Sequence, residues 1–299
     1  KQKGENEMKN IITLFAALLV LIIGANSYAA NIIQVKGSDT MINVVQRLSE
    51  AYMEENPKVM IAVTGGGSGT GIAALINKKC DIANASRDIK DKEVADAKAN
   101  GVEPKLIVLG IDGISIIVHE KNSVRKLTMD QVGKIYKGEI KNWKEVGGQD
   151  KEIALYGRQS NSGTYAFMQE HVLQGEYSSK MKQMNGNSQI AEAVANDEAG
   201  IGYVGVGYAK EAKGVAVLHI AKKEGDEYIS PFNTEAVKSG KYAISRTLNQ
   251  YVNGTPSGDI KAFLEFEVSK DGEKIVEEMG FITISEELKK INEKTLSGK

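Results

Sequence analysis

From residue 31 onward, apolar positions along this chain alternate between two rhythms. Ile32-Ile33-Gln34-Val35, Val59 to Val63 and Asp81-Ile82-Ala83-Asn84-Ala85 are short apolar runs bounded by turn residues, a pattern that predicts strands. Between the first two, the stretch from Met41 to Asn56 places Met41, Val44, Val45, Leu48, Ala51 and Tyr52 on one face at helical spacing. A second helix is predicted over 72–77. Such alternation implies sheets with parallel strands whose faces are covered by helices. Two further strands are predicted over 106–109 and 114–118, flanking Gly110-Ile111-Asp112-Gly113. A second unit then follows. Thr128-Met129-Asp130-Gln131 opens a helix with a capping-box pattern, Trp143 sits in a turn as a packing residue, and 153–155 and 200–205 read as strands. Residues 245–252 form a long β-prone segment, and helices are predicted over 260–264 and 274–279, with no internal repeat at a fixed period.

Three of the early strands end in loops rich in Ser, Thr and Gly: Gly37-Ser38-Asp39-Thr40, the run from Thr64 to Gly71, and Ser86-Arg87-Asp88. In α/β sheets ligands bind beyond the carboxyl ends of the strands. A fourth loop, Gly157-Arg158-Gln159-Ser160-Asn161-Ser162-Gly163-Thr164, links the strand at 153–155 to a helix. A helix opening on Ser-Gly-Thr offers free backbone N–H groups, hydroxyls and the positive end of its dipole, which together suit a tetrahedral oxyanion. Arg158 adds a fixed-charge fork able to hold two oxygens of one anion. Each of these serines taken singly reads as readily as a helix cap. Their coincidence across four loops favours a shared anion.

Composition narrows the chemistry. Lys and Arg number 38 against 39 Asp and Glu, a formal charge of −1, so no basic face for a nucleic acid is expected. Only five of the cations are arginines (Arg47, Arg87, Arg125, Arg158 and Arg246), so an Arg inside a glycine-serine loop points to function more than a Lys would. His119, His171 and His219 are dispersed without metal-ligand spacing, and the single cysteine, Cys80, can form no internal disulfide and reads as a buried small residue. No metal or cofactor is expected. Gly66-Gly67-Ser68-Gly69-Thr70 lacks the frame of a nucleophile elbow, and no Gly-Lys-Ser or Gly-Lys-Thr closes a nucleotide loop. Binding without catalysis is the expectation. The alternatives from other classes are a secreted phosphatase using Ser68 or Ser162 and a phosphate sensor.

The N-terminus reads as a targeting segment. Met8-Lys9-Asn10 precedes the apolar run from Ile11 to Gly24, and Ser27 and Ala29 are small residues at the −3 and −1 places of a secretory cleavage site near Ala29. Residues 1–30 are thus expected to be a signal peptide with an extension upstream of Met8; the alternative is a retained membrane anchor, for which the apolar run is short. No cysteine stands at the cleavage point for a lipid anchor, which favours a soluble periplasmic protein.

The combination of Gly37-Ser38-Asp39-Thr40, Gly66-Gly67-Ser68-Gly69-Thr70-Gly71, Asp81-Ile82-Ala83-Asn84-Ala85-Ser86-Arg87 and Arg158-x-x-x-Ser162-Gly163-Thr164 resembles the phosphate-binding proteins of bacterial phosphate ABC transporters. Asp112-Gly113-Ile114, Ile140-Lys141-Asn142-Trp143, Gly200-Ile201-Gly202-Tyr203-Val204 and Ser230-Pro231-Phe232-Asn233-Thr234 extend the resemblance in the same order over the remaining chain. It implies an α/β, two-lobed periplasmic-binding-protein fold of type II, each lobe a mostly parallel sheet flanked by helices. Lobe one would take residues 31–118 and 243–299 and lobe two 119–242, with a hinge near Ile117-Val118-His119 and Tyr242-Ala243-Ile244. By the family's pattern Thr40, the backbone of Met41 and Ser68 bind phosphate from lobe one, and Arg158, Ser162, Gly163 and Thr164 from lobe two. The residues themselves add Ser38, and Ser86 with Arg87. A membrane permease is the implied partner, and a monomer is expected.

Two positions depart from the family's pattern. Arg87 stands where many members carry an acid that accepts the proton of hydrogen phosphate, and Ser160 stands where many place an acid between the arginine and Ser-Gly-Thr. A buried carboxylate facing sulfate sets two acceptors against each other with no proton between them, which is the physical basis of selectivity for phosphate. Asp112 is the favoured substitute, ahead of Asp39 and Asp88; binding of sulfate or another tetrahedral oxyanion is the same-class alternative.

Overall fold

The computed structural model describes residues 32–298; the expected signal peptide lies outside the described residues. The first sheet has strand order β2-β1-β3-β12-β4, formed by β1 (Ile32–Gly37), β2 (Met60–Thr64), β3 (Ile82–Ala85), β4 (Pro104–Gly113) and β12 (Ser245–Asn253). Helices α1 (Ile42–Glu55), α2 (Ser68–Ile76) and α3 (Asp91–Ala99) connect its early strands. The second sheet has order β10-β5-β9-β7-β8, from β5 (Ser115–His119), β7 (Ala154–Arg158), β8 (Lys182–Met184), β9 (Gly200–Val204) and β10 (Val215–Val217). A two-stranded sheet of β6 (Lys126–Thr128) and β11 (His219–Ala221) completes the strands among the described residues.

Both sheets are mixed rather than mostly parallel. β1 pairs in parallel with β2 and β3, and β7 with β8 and β9. β12 runs antiparallel to both β3 and β4, and β5 antiparallel to both β9 and β10. The antiparallel strands are those beside the points where the chain passes between sheets. A strand that arrives from the other sheet has no βαβ crossover to set it parallel. The first passage falls at Ile114, between β4 and β5, three residues ahead of the expected segment at Ile117-Val118-His119. The run 114–118 is uniformly apolar, so nothing in its pattern marks where it leaves one sheet for the other. The return passage precedes β12, where Tyr242-Ala243-Ile244 was expected. Ile114 N–H donates to Ile244 O at 2.9 Å and Tyr242 Oη donates to Ile114 O at 2.7 Å, so the two passages are bonded to each other.

Each sheet has its own apolar core. In the first, Val44, Val45, Leu48 and Tyr52 of α1 are buried as its periodicity predicts, against Ile33, Val35 and Phe263. Tyr52 meets the edge of Phe263 with ring centroids 5.4 Å apart. Phe263 lies on α9 (Gly258–Glu267), which is followed by α10 (Lys270–Glu278) and α11 (Glu286–Ser297). In the second core Trp143 is buried among Tyr136, Leu155 and Tyr203, and its Nε1–H donates to Ala199 O at 2.9 Å. This is a packing role. Helix α4 (Met129–Lys137) carries the predicted capping box: Thr128 Oγ1 accepts from Gln131 N, and Gln131 Oε1 accepts from Thr128 N. The remaining helices are α5 (Gly163–Phe167), which continues into a wider turn at Met168–Leu173, α6 (Asn187–Ala195), α7 (Val206–Glu211) and α8 (Thr234–Lys238). Cys80 is buried, and burial pushes its thiol up to about 12.

Among the described residues no helix is long and apolar enough to cross a membrane, and no cluster of His, Cys, Asp and Glu could hold a metal ion.

Candidate functional site

The carboxyl ends of β1 and β3 and the start of α2 bring three serines of the first sheet together. Ser38 Oγ donates to Ser86 Oγ at 2.9 Å, Ser86 N–H donates to Ser68 Oγ at 3.0 Å, and the Ser68 and Ser86 hydroxyls stand 3.4 Å apart. All three are buried. Ser68 occupies the first turn of α2, which begins there rather than at the expected residue 72; Gly67, at φ 92°, lets the chain enter that turn.

The second sheet supplies the facing wall. β7 ends at Arg158, and Ser162 caps α5, its Oγ accepting from Thr164 N at 3.1 Å and Tyr165 N at 3.4 Å. The Thr164 hydroxyl stands 3.2 Å from that of Thr40 across the cleft. Gly163 packs against the serine cluster so closely that a Cβ there would overlap Ser68 Oγ and come within 2.7 Å of Ser86 Oγ. A larger residue would push both hydroxyls out of their hydrogen-bonded positions.

Two buried ion pairs flank the hydroxyls. Arg158 donates through Nη2 to Asp39 Oδ2 and, at 2.8 Å, to Asn185 O, and its N–H donates to Tyr203 Oη at 2.9 Å. Arg158 is 1 % exposed, and its Nε has no partner among the described residues. A buried donor without an acceptor is costly, so this nitrogen is suited to a bound acceptor. On the other flank Arg246 of β12 donates to Asp112 Oδ2 from Nη2 at 2.9 Å and from Nε at 3.2 Å, to Ser86 O at 2.8 Å, to Thr164 Oγ1 at 2.9 Å and to Thr40 Oγ1 at 3.3 Å. Burial pulls the pKa of Arg246 below its ordinary value, and the Asp112 carboxylate acts against that shift. Beside this arginine a cavity of about 470 Å³, lined by Arg87, Phe167 and His171 among others, opens toward solvent.

Of the residues singled out by sequence, Ser38, Thr40, Ser68, Ser86, Ser162, Gly163 and Thr164 converge, with Arg158 joined to their loop through Asp39. Met41 is buried at the same turn, where its N–H donates to Ser38 O at 3.1 Å. Arg87 is not brought in. Its guanidinium is bidentate to Glu93 of α3, at 2.8 and 2.7 Å, because Glu93 is fixed in the first turn of that helix by the Lys90 N–H. Burial raises the pKa of Glu93, but the bonds from Arg87 and Lys90 outweigh it and hold the carboxyl below its ordinary value. Asp112 does not present a free oxygen to the cluster either: Oδ1 accepts from Val206 N at 2.9 Å and Oδ2 from Arg246. It holds an arginine in place, where a direct contact to the ligand was expected. Arg246 itself was missed. Its signal was a lone arginine inside a β-prone segment, one of only five in the chain.

Two α/β lobes with a buried cleft of hydroxyls, amides and guanidinium groups contributed from both sides define a solute-binding protein. A family profile for the PBP superfamily domain matches residues 24–271. The chain is 31 % identical over 266 residues to the phosphate-binding protein PstS of Pseudomonas aeruginosa, covering 83 % of this chain and 81 % of that one. It is also 31 % identical to PstS of Bacillus subtilis, over 86 % of this chain and 82 % of that protein. Among solved structures, a Clostridium perfringens protein with bound phosphate aligns with TM-score 0.76 at 29 % identity, over 85 % of this chain and all of that one. The chain therefore belongs to the PstS family of phosphate-binding proteins within the PBP superfamily.

Proposed function

We propose that this protein captures inorganic phosphate between its lobes outside the cytoplasm and delivers it, chemically unchanged, to the permease of an ABC transporter. The observation that carries the reading is the buried cluster itself: the hydroxyls of Ser38, Ser68 and Ser86 meet one another, those of Thr40 and Thr164 meet beside Arg246, and Arg158, with an unpartnered Nε, is tied to the same loop through Asp39. A tetrahedral anion offers acceptors in four directions, and donors drawn from both lobes can satisfy them only when the lobes are closed. Binding then stabilises the closed form, and docking to a permease would reopen it. Arg246 serves as a second cationic donor at the site, positioned by Asp112.

The names of the relatives and the phosphate in the C. perfringens structure support this choice of anion. Catalysis is not part of the reading. Ser68 and Ser162 are bonded to hydroxyls and backbone amides, which neither withdraw a proton nor prepare a nucleophile. The expected secretory signal, without a cysteine at its cleavage point, fits a periplasmic protein. Calorimetric titration with phosphate and then with sulfate tests the ligand: saturable binding of phosphate, with much weaker sulfate competition, supports the reading. Equal competition by sulfate would replace it with a general oxyanion-binding protein.

A further inference from the structure

Outside the serine cluster the lobes meet at a second place. Asn161, in the loop between β7 and α5, donates through Nδ2 to Gly66 O at 2.8 Å and to Thr70 Oγ1 at 3.3 Å. Its own carbonyl accepts from Gly69 N at 3.0 Å. One residue of the second lobe is thus bonded to three positions of the Gly65–Gly71 loop of the first. That loop is shaped for the approach. A Cβ on Gly67 would stand 2.7 Å from Asn161 O and 3.0 Å from Asn161 C, and one on Gly69 would stand 3.3 Å from Asn161 O. Thr70 Oγ1 also donates to Gly66 O at 2.6 Å, which fixes the acceptor that Asn161 uses.

Asn161 is exposed, whereas the serines around the proposed ligand are buried, so it sits at the rim of the cleft. We infer that Asn161 is a positioning residue for binding: with the glycine loop it forms a latch that holds the closed lobes together without touching the anion. The latch rests on the proposed closure around a ligand, but its bonds need no ligand to form. The glycines therefore have a use besides bringing Ser68 to the cluster. Gly67 and Gly69 leave room for the opposite lobe.

The latch lowers the free energy of the closed form alone, so its loss should act on release and leave capture nearly untouched. The test uses the mature protein with spin labels at Glu54→Cys and Gln149→Cys, both exposed and on opposite lobes, with Cys80 buried away from the label. Interlobe distances are measured with and without phosphate, and phosphate association and release by stopped flow. Asn161→Ala should lower the closed fraction and speed release roughly tenfold, as expected for the loss of a few exposed hydrogen bonds, with association changed less than about twofold. Asn161→Asp keeps the side-chain size but sets a carboxylate oxygen against the Gly66 carbonyl where Nδ2 donated, and should speed release at least as much as Asn161→Ala. Matching melting temperatures exclude misfolding. The inference is overturned if a folded Asn161→Ala protein leaves both the distance distribution and the release rate unchanged. A wild type that ignores phosphate while Asn161→Ala still shifts the distances would refute the choice of anion and uphold the latch.

Discussion

Arg246, on β12 of the first sheet, donates to the Thr164 hydroxyl at the start of α5 on the second at 2.9 Å. A strand of one lobe thereby reaches into the loop of the other, and Asp112 fixes the arginine from behind. Arg246→Met should weaken phosphate binding by one to two orders of magnitude, since a hydrogen bond from a charged group contributes about 1.5–3 kcal/mol. It also leaves the Asp112 carboxylate buried without its partner. Chemical denaturation should therefore show Arg246→Met and Asp112→Ala each destabilised by about 3–5 kcal/mol, and the double variant less destabilised than the sum. Additive losses would show that the two residues act independently.

The close approach of Gly163 to Ser68 and Ser86 gives a cleaner separation of binding from folding. Gly163→Ala places a methyl group where the two hydroxyls lie, in a contact made only when the lobes are together. The variant should keep a melting temperature near that of the wild type and lose phosphate affinity at least about a hundredfold, an affinity change of about 2.8 kcal/mol. Unchanged affinity by calorimetry would mean that the serines and α5 do not meet around the ligand.

How far this arrangement was legible from sequence depended on what each residue announces locally. The serines could be read because they sit at strand ends and helix starts, where periodicity changes and hydroxyls have an evident use. Arg158 stood in the same kind of loop. Arg246 did not: it lies within a strand of apolar and polar alternation, and its partners Asp112 and Thr164 are 134 and 82 residues away in sequence. Arg87 illustrates the converse. Its position after Ser86 suggested the pocket, but Glu93, six residues on, claims both of its terminal nitrogens through the geometry of α3. The pairing of Asp112 with Arg246 was illegible for the same reason, because the partner is 134 residues away. The sheet pairings followed this rule as well. The βαβ units were apparent from their rhythm, while the antiparallel contacts of β12 depend on a segment that returns after the whole second lobe.

A buried carboxyl in the first lobe adds a pH dependence unrelated to the ligand. Glu267 on α9 is fully buried, accepts from Gln250 Nε2 at 3.2 Å, and burial raises its pKa to about 8, with the Gln250 bond acting weakly in the other direction. The folded protein therefore retains a proton that the unfolded chain releases near pH 4.5. Stability from this group is fully present below the unfolded value and is lost as pH rises through about 8. In denaturation experiments between pH 5 and pH 8 it should fall by up to about 1.4 kcal/mol per pH unit relative to Glu267→Gln. Parallel stability profiles for the two proteins would show that Glu267 is ionised in the fold.

Calorimetric titration of phosphate into the mature protein and into Arg158→Ala shows whether the hydroxyl cluster with Arg158 holds phosphate. Arg158 is buried, paired with Asp39, and its guanidinium Nε is buried without a partner among the described residues. The expectation is saturable binding of one phosphate per wild-type chain, with no measurable heat from a folded Arg158→Ala protein. Wild-type affinity retained in Arg158→Ala, or no phosphate binding by the folded wild type, would contradict it.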